Sequence, residues 1–200
     1  MTTIVVVRKG SAACIAADSL AKYGETRESA AYVANYEKLL QVGDTWLGPT
    51  GPASAQLVMA SYFAAEEARR DFSSTLSIFE TFTDLMGALK EDYFLIPKED
   101  ERDPYESLQM ETLVAGPAGI FGVYPLRSVQ EYSRFYAFGS GAELAMGAMH
   151  ASYEREDDPA TVARIGLEAA AEFDDSTAAP FTLQRITVVG ASAALGSAPA

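Results

Sequence analysis

The sequence predicts an α+β protein folded as a four-layer αββα sandwich, two stacked antiparallel sheets flanked by helices, and three observations lead there. Strand-like and helix-like segments come in blocks and do not alternate strictly: two hairpins, two helices, several strands, two helices and a last strand. The opening stretch MTTIVVVRKGSAACIAADSL is apolar, β-branched or small almost throughout, which marks a hairpin of two largely buried strands. With 200 residues, 48% of them hydrophobic and only 22% charged, the chain suits one domain with a substantial core. The expected domain spans residues 1–190.

In order, the pattern predicts strands over 3–8 and 12–17 around the turn Lys9-Gly10-Ser11, the second strand closing on Asp18. A polar, small stretch over 24–34 is followed by a second hairpin, 36–42 and 45–47, around Gly43-Asp44, and Gly48-Pro49-Thr50-Gly51 then turns into a helix. That helix is predicted over 53–70 with Leu57, Ala60, Ala64 and Ala68 on its buried face. The spacing of Leu76, Phe79, Phe82, Met86, Leu89 and Tyr93 gives a second helix, ending before Pro97. The charged run KEDERDPYES over 98–107 reads as an exposed connection.

Three more strands are predicted over 111–115, 120–124 and 132–138, the first pair joined by Gly116-Pro117-Ala118-Gly119. Gly139-Ser140-Gly141 leads into a helix reaching about Glu154, with Ser140 and Glu143 at capping-box spacing. Asp158-Pro159 starts another helix by N-cap and first-turn chemistry; Val162, Ile165, Ala169 and Phe173 form its predicted buried face, and it stops near Asp174. A last strand is predicted over 181–189, and the Ala/Gly/Ser-rich 191–200 reads as a disordered tail.

Composition narrows function by exclusion. A net charge of -13 and a pI near 4.4 argue against nucleic-acid or anionic-membrane partners. No apolar run approaches the ~20 residues of a membrane span, and no signal-peptide pattern opens the chain, so a soluble cytoplasmic protein is expected. The single cysteine, Cys14, lies in an apolar strand and reads as core packing, without disulfide or metal-ligand spacing. His150 is the only histidine, which leaves no Ser-His-Asp triad and no two-histidine metal site, and it reads as structural or solvent-facing. No phosphate- or dinucleotide-binding glycine motif is present. No metal or organic cofactor is expected.

A hydroxyl nucleophile without histidine needs another base, and an N-terminal α-amino group, which ordinarily titrates at ~7.7–8.0, is one. Removal of Met1 would expose Thr2, whose hydroxyl and amine then sit within one residue.

The TTIVVV start with a strand ending AAD, Lys38 at the next hairpin, the Gly48 to Gly51 turn, Gly139-Ser140-Gly141 before a helix, and Asp174-Asp175-Ser176-Thr177 occur in a family order. Over residues 2–189 this resembles the proteasome β-type subunits and HslV peptidases, N-terminal-nucleophile (Ntn) hydrolases, and is most similar to the betaproteobacterial proteasome homologues. The resemblance implies Thr2 as nucleophile, Asp18 and Lys38 as a buried pair beside it, Gly48 as oxyanion donor, Ser140 as the serine near the terminal amine, and Asp174 and Thr177 as residues that hold the site from the far helix's end. Trp46 matches a substrate-pocket position; core packing is the other reading for it. Ser140 is equally a helix N-cap, and Lys38 alone could be a strand-edge lysine. Leu20 stands where many members carry a basic or polar residue.

Further, the resemblance implies a threonine endopeptidase that assembles with itself, as stacked rings of twelve or fourteen subunits, and cleaves peptides or unfolded protein inside a chamber, with an AAA+ unfoldase as a possible partner. A ring-forming scaffold without peptidase activity and an amidase for small amides are the alternatives.

Overall fold

The computed structural model describes residues 2–96 and 103–189. Met1, part of the charged run and the predicted tail at 191–200 lie outside the described residues. Strand β1 (Thr3–Lys9) turns through Gly10 into β2 (Ala12–Ala17), and Gly10 takes φ +59°, where a side chain would be strained. The polar stretch that follows contains an unpredicted small hairpin, β3 (Ala21–Tyr23) and β4 (Thr26–Glu28). Then come β5 (Leu40–Val42), β6 (Thr45–Pro49), the helices α1 (Ala55–Ala64) and α2 (Thr75–Glu91), and the strands β7 (Thr112–Gly116) and β8 (Gly119–Val123). The chain continues through β9 (Val129–Tyr132), β10 (Phe135–Gly139), α3 (Ala142–Ser152), α4 (Pro159–Phe173) and β11 (Thr182–Thr187).

Two antiparallel sheets result, ordered β10-β1-β2-β11 and β5-β6-β7-β8-β9. Alternation along the strands assigns their faces. Ile4, Val6 and Ile15 of the first sheet meet Leu113, Ala115 and Ile120 of the second in an inter-sheet core. On the outer face of the first sheet, Val5, Val7, Cys14 and Ala16 are covered by α3 and α4. Leu47, Val114, Phe121 and Val123 are covered by α1 and α2. The molecule is thus the expected αββα sandwich. Each fully buried large side chain in these layers stabilises it by ~1.5–3 kcal/mol.

The helix faces differ from the pattern in detail. Helix α1 is shorter than predicted and buries Ala55, Met59 and Phe63, while Leu57 is 66% exposed. Of the predicted stripe only Ala68, beyond the end of the helix, is buried, because the larger Met59 and Phe63 fill the gap against the sheet. Helix α2 buries Ile78, Phe82, Leu85, Met86 and Leu89 and leaves Leu76 and Phe79 outside. In α4 the buried face is Val162, Ala163, Gly166, Leu167 and Ala170, and Phe173 is exposed.

Small residues there admit α3 at close range. A Cβ on Gly166 would lie 2.8 Å from Met149 Cγ, and one on Gly141 would lie 2.8 Å from Ala170 Cβ. The start of α3 thus meets the last turn of α4 and the end of α3 meets the middle of α4, so the two helices run antiparallel. The strand predicted over 132–138 is β10, and an unpredicted strand, β9, precedes it: β9 belongs to the second sheet and β10 to the first, with Ser133-Arg134 as the crossing. The Tyr132 and Tyr136 rings stack at 4.3 Å across it.

Candidate active site

The first residue after β2, Asp18, is buried, and its carboxylate receives four hydrogen bonds. Its Oδ1 accepts from Thr3 N–H (3.0 Å) and from Lys38 Nζ (2.6 Å); its Oδ2 accepts from Leu20 N–H (3.0 Å) and Ala178 N–H (3.3 Å). Lys38 also donates to the Leu20 carbonyl at 2.7 Å. Leu20 therefore serves the pair through its backbone, and its apolar side chain is simply buried. Burial pushes the Lys38 ammonium below its ordinary value of 10.5, the Asp18 charge and hydrogen bond pull it partly back, and Asp174 adds to that pull. Lys38 is a partner in a buried ion pair just ahead of β5, not a strand-edge lysine.

A second polar group gathers where α3 begins and α4 ends. Asp174, at the C-cap of α4, accepts at Oδ2 from Ser140 Oγ (2.7 Å) and Thr177 Oγ1 (2.6 Å), and at Oδ1 from Ser176 N–H (3.3 Å). The predicted capping box is not formed: Gly141 occupies the N-cap without a side-chain bond, because the Ser140 hydroxyl is directed to Asp174. Ser140 N–H donates to the Thr2 carbonyl at 3.0 Å. Gly139 makes this approach possible, for at its φ of +102° a Cβ would lie 1.7 Å from Thr2 O.

Thr2 sits at the junction of two cavities. One of about 260 Å³ is lined by Thr2, Leu20, Lys38, Pro49, Gly51 and Ala53 among others; a second of about 590 Å³ has Thr2, Gly51, Glu111, Gly139 and Ser140 in its wall. Lys38, which Asp18 holds, thus shares the first wall with Thr2, and Ser140, which is bonded to Asp174, shares the second.

Two expected residues are elsewhere. Gly48 is a buried position in the middle of β6, paired with Leu113, and lines neither cavity. Thr50 N–H donates to Glu111 O (2.8 Å) in the same ladder; since alternate residues direct their N–H groups to the same side, that of Gly48 faces β7. Its lack of a side chain has a packing reason, as a Cβ would lie 2.7 Å from Ile4 Cγ2. The glycine in both cavity walls is Gly51, at φ +110°, where a Cβ would lie 2.9 Å from Gln109 O. Trp46 projects from the same face as Gly48 and packs against the inter-sheet core, also outside both cavities.

Sequence reasoning missed Thr3, although it is fully buried and its hydroxyl bonds to both Thr177 and Gly141. The second threonine of the TT pair was the available signal. Of the other single residues, Cys14 is buried with its thiol pushed up to about 12, so it stays protonated and unreactive, and His150 is exposed on α3. Among the described residues no helix is long and apolar enough to cross a membrane.

No protein-family model and no curated protein sequence matches the chain. Among solved structures it is similar to Thiobacillus denitrificans BPH, with a TM-score of 0.86 and 44% identity over 94% of this chain and 98% of that one. The same protein in complex with epoxomicin gives a TM-score of 0.85 and 43% identity over 94% and 99%. A eukaryotic HslV from Trypanosoma brucei shares the fold, with a TM-score of 0.67 at 21% identity over 93% of this chain and 99% of that one. With an αββα fold, a threonine that shares one cavity wall with Lys38 and another with Ser140, and more than 40% identity over nearly its whole length to a bacterial proteasome-like protein, the chain belongs to the proteasome β-subunit/HslV-type Ntn hydrolases.

Proposed function

We propose that the protein is a threonine endopeptidase that acts once Met1 has been removed, with Thr2 as nucleophile. The observation that carries this reading is the placement of Thr2 in a cleft between the Asp18–Lys38 pair and the Ser140–Asp174–Thr177 group. The Thr2 hydroxyl adds to a peptide carbonyl carbon while its proton passes to the free α-amine. Lys38, held by Asp18 and with its ammonium form disfavoured by burial, supplies positive charge beside the hydroxyl without binding its proton tightly. The oxyanion takes the N–H of Gly51, in the position first expected of Gly48. The C–N bond then breaks, the leaving amine takes the proton from the Thr2 ammonium, and water hydrolyses the ester to regenerate Thr2.

The assembly we propose is a homo-oligomer, a cytoplasmic double ring of twelve or fourteen copies that encloses the clefts and receives unfolded chains from an AAA+ unfoldase. BPH of T. denitrificans has been solved with epoxomicin, which makes that compound the natural probe. Purified native protein should have the mass of a chain starting at Thr2 and gain the mass of one epoxomicin, and Thr2→Ala should assemble but stay unmodified. A retained Met1, or equal modification of Thr2→Ala, refutes the nucleophile. Sedimentation as a monomer refutes the ring.

A further inference from the structure

Thr3 is fully buried, and its three polar groups are all committed. Its N–H donates to Asp18 Oδ1 (3.0 Å), and its carbonyl accepts from Asp18 N–H (3.2 Å). Its Oγ1 accepts from Gly141 N–H (3.1 Å) and lies 2.6 Å from Thr177 Oγ1. Donor counting fixes the direction of that last bond. Each hydroxyl has one proton, and that of Thr177 goes to the Asp174 carboxylate at 2.6 Å, so the proton between the two threonines belongs to Thr3. A single directed chain follows, from Gly141 N–H to Thr3 O–H, to Thr177 O–H, to Asp174 Oδ2, where Ser140 O–H also ends.

We infer that Thr3 is a positioning residue for the reaction of Thr2, its side chain tying Thr177 and Asp174 to the strand that Asp18 and Lys38 hold from the other side. The inference rests on the peptidase reading, because it assigns Thr3 a role in the chemistry of Thr2 beyond holding the fold. Thr3 is fully buried and lines neither cavity. Its backbone belongs to the Asp18–Lys38 half of the site and its hydroxyl to the Asp174–Ser140 half. Chains of hydrogen bonds in a buried setting polarise one another, so the loss of one member disturbs the others.

The test uses the assembled protein and the rate of epoxomicin modification, resolved into a limiting rate and a half-saturating concentration. Thr3→Val keeps the side-chain shape and removes the hydroxyl. Its limiting rate should fall roughly tenfold or more, as for other small misplacements of reacting groups, with the half-saturating concentration unchanged. Thr3→Ser should restore the limiting rate to within about twofold. Thr177→Val cuts the same chain without touching β1, and serves if Thr3→Val does not fold. The double variant should react no more slowly than Thr177→Val alone, since both remove one coupled unit. A Thr3→Val protein that reacts at the full limiting rate, whatever its melting temperature, overturns the inference. So do multiplying effects in the double variant, or, where Thr3→Val is not recovered, a fully reactive Thr177→Val. A parent protein that epoxomicin never modifies overturns the peptidase reading and this inference with it, whereas the other outcomes overturn this inference alone.

Discussion

Asp18→Asn changes one oxygen to an NH2 with almost no change in volume, yet it should be among the most damaging substitutions in the molecule. The carboxylate receives two donors on each oxygen: Thr3 N–H and Lys38 Nζ on Oδ1, Leu20 N–H and Ala178 N–H on Oδ2. An amide has one oxygen, so in either orientation two donors face an NH2 group. Each buried donor left unsatisfied costs ~1–3 kcal/mol, and breaking a buried ion pair by removing one partner costs ~3–5 kcal/mol in all. A loss of about 4 kcal/mol is expected; at ~2–4 °C per kcal/mol for a chain of this size, the melting temperature should drop on the order of 10 °C. Urea unfolding followed by circular dichroism measures it, with parent and variant at one protein concentration because association contributes to apparent stability. Lys38→Met should cost less, since Asp18 keeps three backbone donors. A loss under ~1 kcal/mol for Asp18→Asn, the scale of an exposed pair, would refute the account of Asp18 as a buried organising charge.

Gly139→Ala should fold poorly or, where recovered, lose reactivity with epoxomicin, because the new methyl would fall on the Thr2 carbonyl; a variant modified at the parent rate would show that this approach is not needed. At the other end of α4, Asp158 caps the helix through Ala160 N–H (3.2 Å) and holds Arg185 of β11, with Nη2 at 2.8 Å from Oδ2. The Arg185 hydrogen bond, aided by Thr161 and Ala160, keeps its carboxyl well below the ordinary value of 3.8. A depressed folded-state value gives stability that is complete above the unfolded value and is lost as pH falls below it. Between about pH 6 and pH 3 the urea midpoint of the parent should therefore fall more than that of Asp158→Asn, and equal falls would refute the contribution.

The layer order was legible because it depends on the block arrangement of strands and helices, a long-range property that survives local error. The β9–β10 crossing was not, since β9 is only the four residues Val-Gln-Glu-Tyr, too short and polar to stand out as a strand, and Ser133-Arg134 alone separates it from the aromatic β10. Helix faces were misread where alanine is abundant: in α1 and α4 small residues supply several stripes, and only the shape of the opposing layer selects one. Within the site, the structure joins Asp18 to Lys38 across 20 residues, the pair that the resemblance implies, and also joins Ser140 to Asp174 across 34. Gly48 and Gly51 were indistinguishable by residue type. What separates them is strand parity, which directs one N–H into the sheet and leaves the other residue on the cleft wall.

The contact between α3 and α4 has a consequence beyond packing. Ser140 stands just before the first helix and Asp174 just after the second, so the 2.7 Å bond between them closes one end of an antiparallel pair. The gap it spans is whatever the two helix bodies leave, and those bodies meet through positions where glycine keeps a hydrogen in place of a methyl. Gly166 lies eight residues from Asp174, ~12 Å along the axis, with no chemical group of its own to offer. The two helices act as the jaws of a caliper whose setting is written in missing carbon atoms, and a side chain added at Gly166 would open the far tips at Ser140 and Asp174 without touching either.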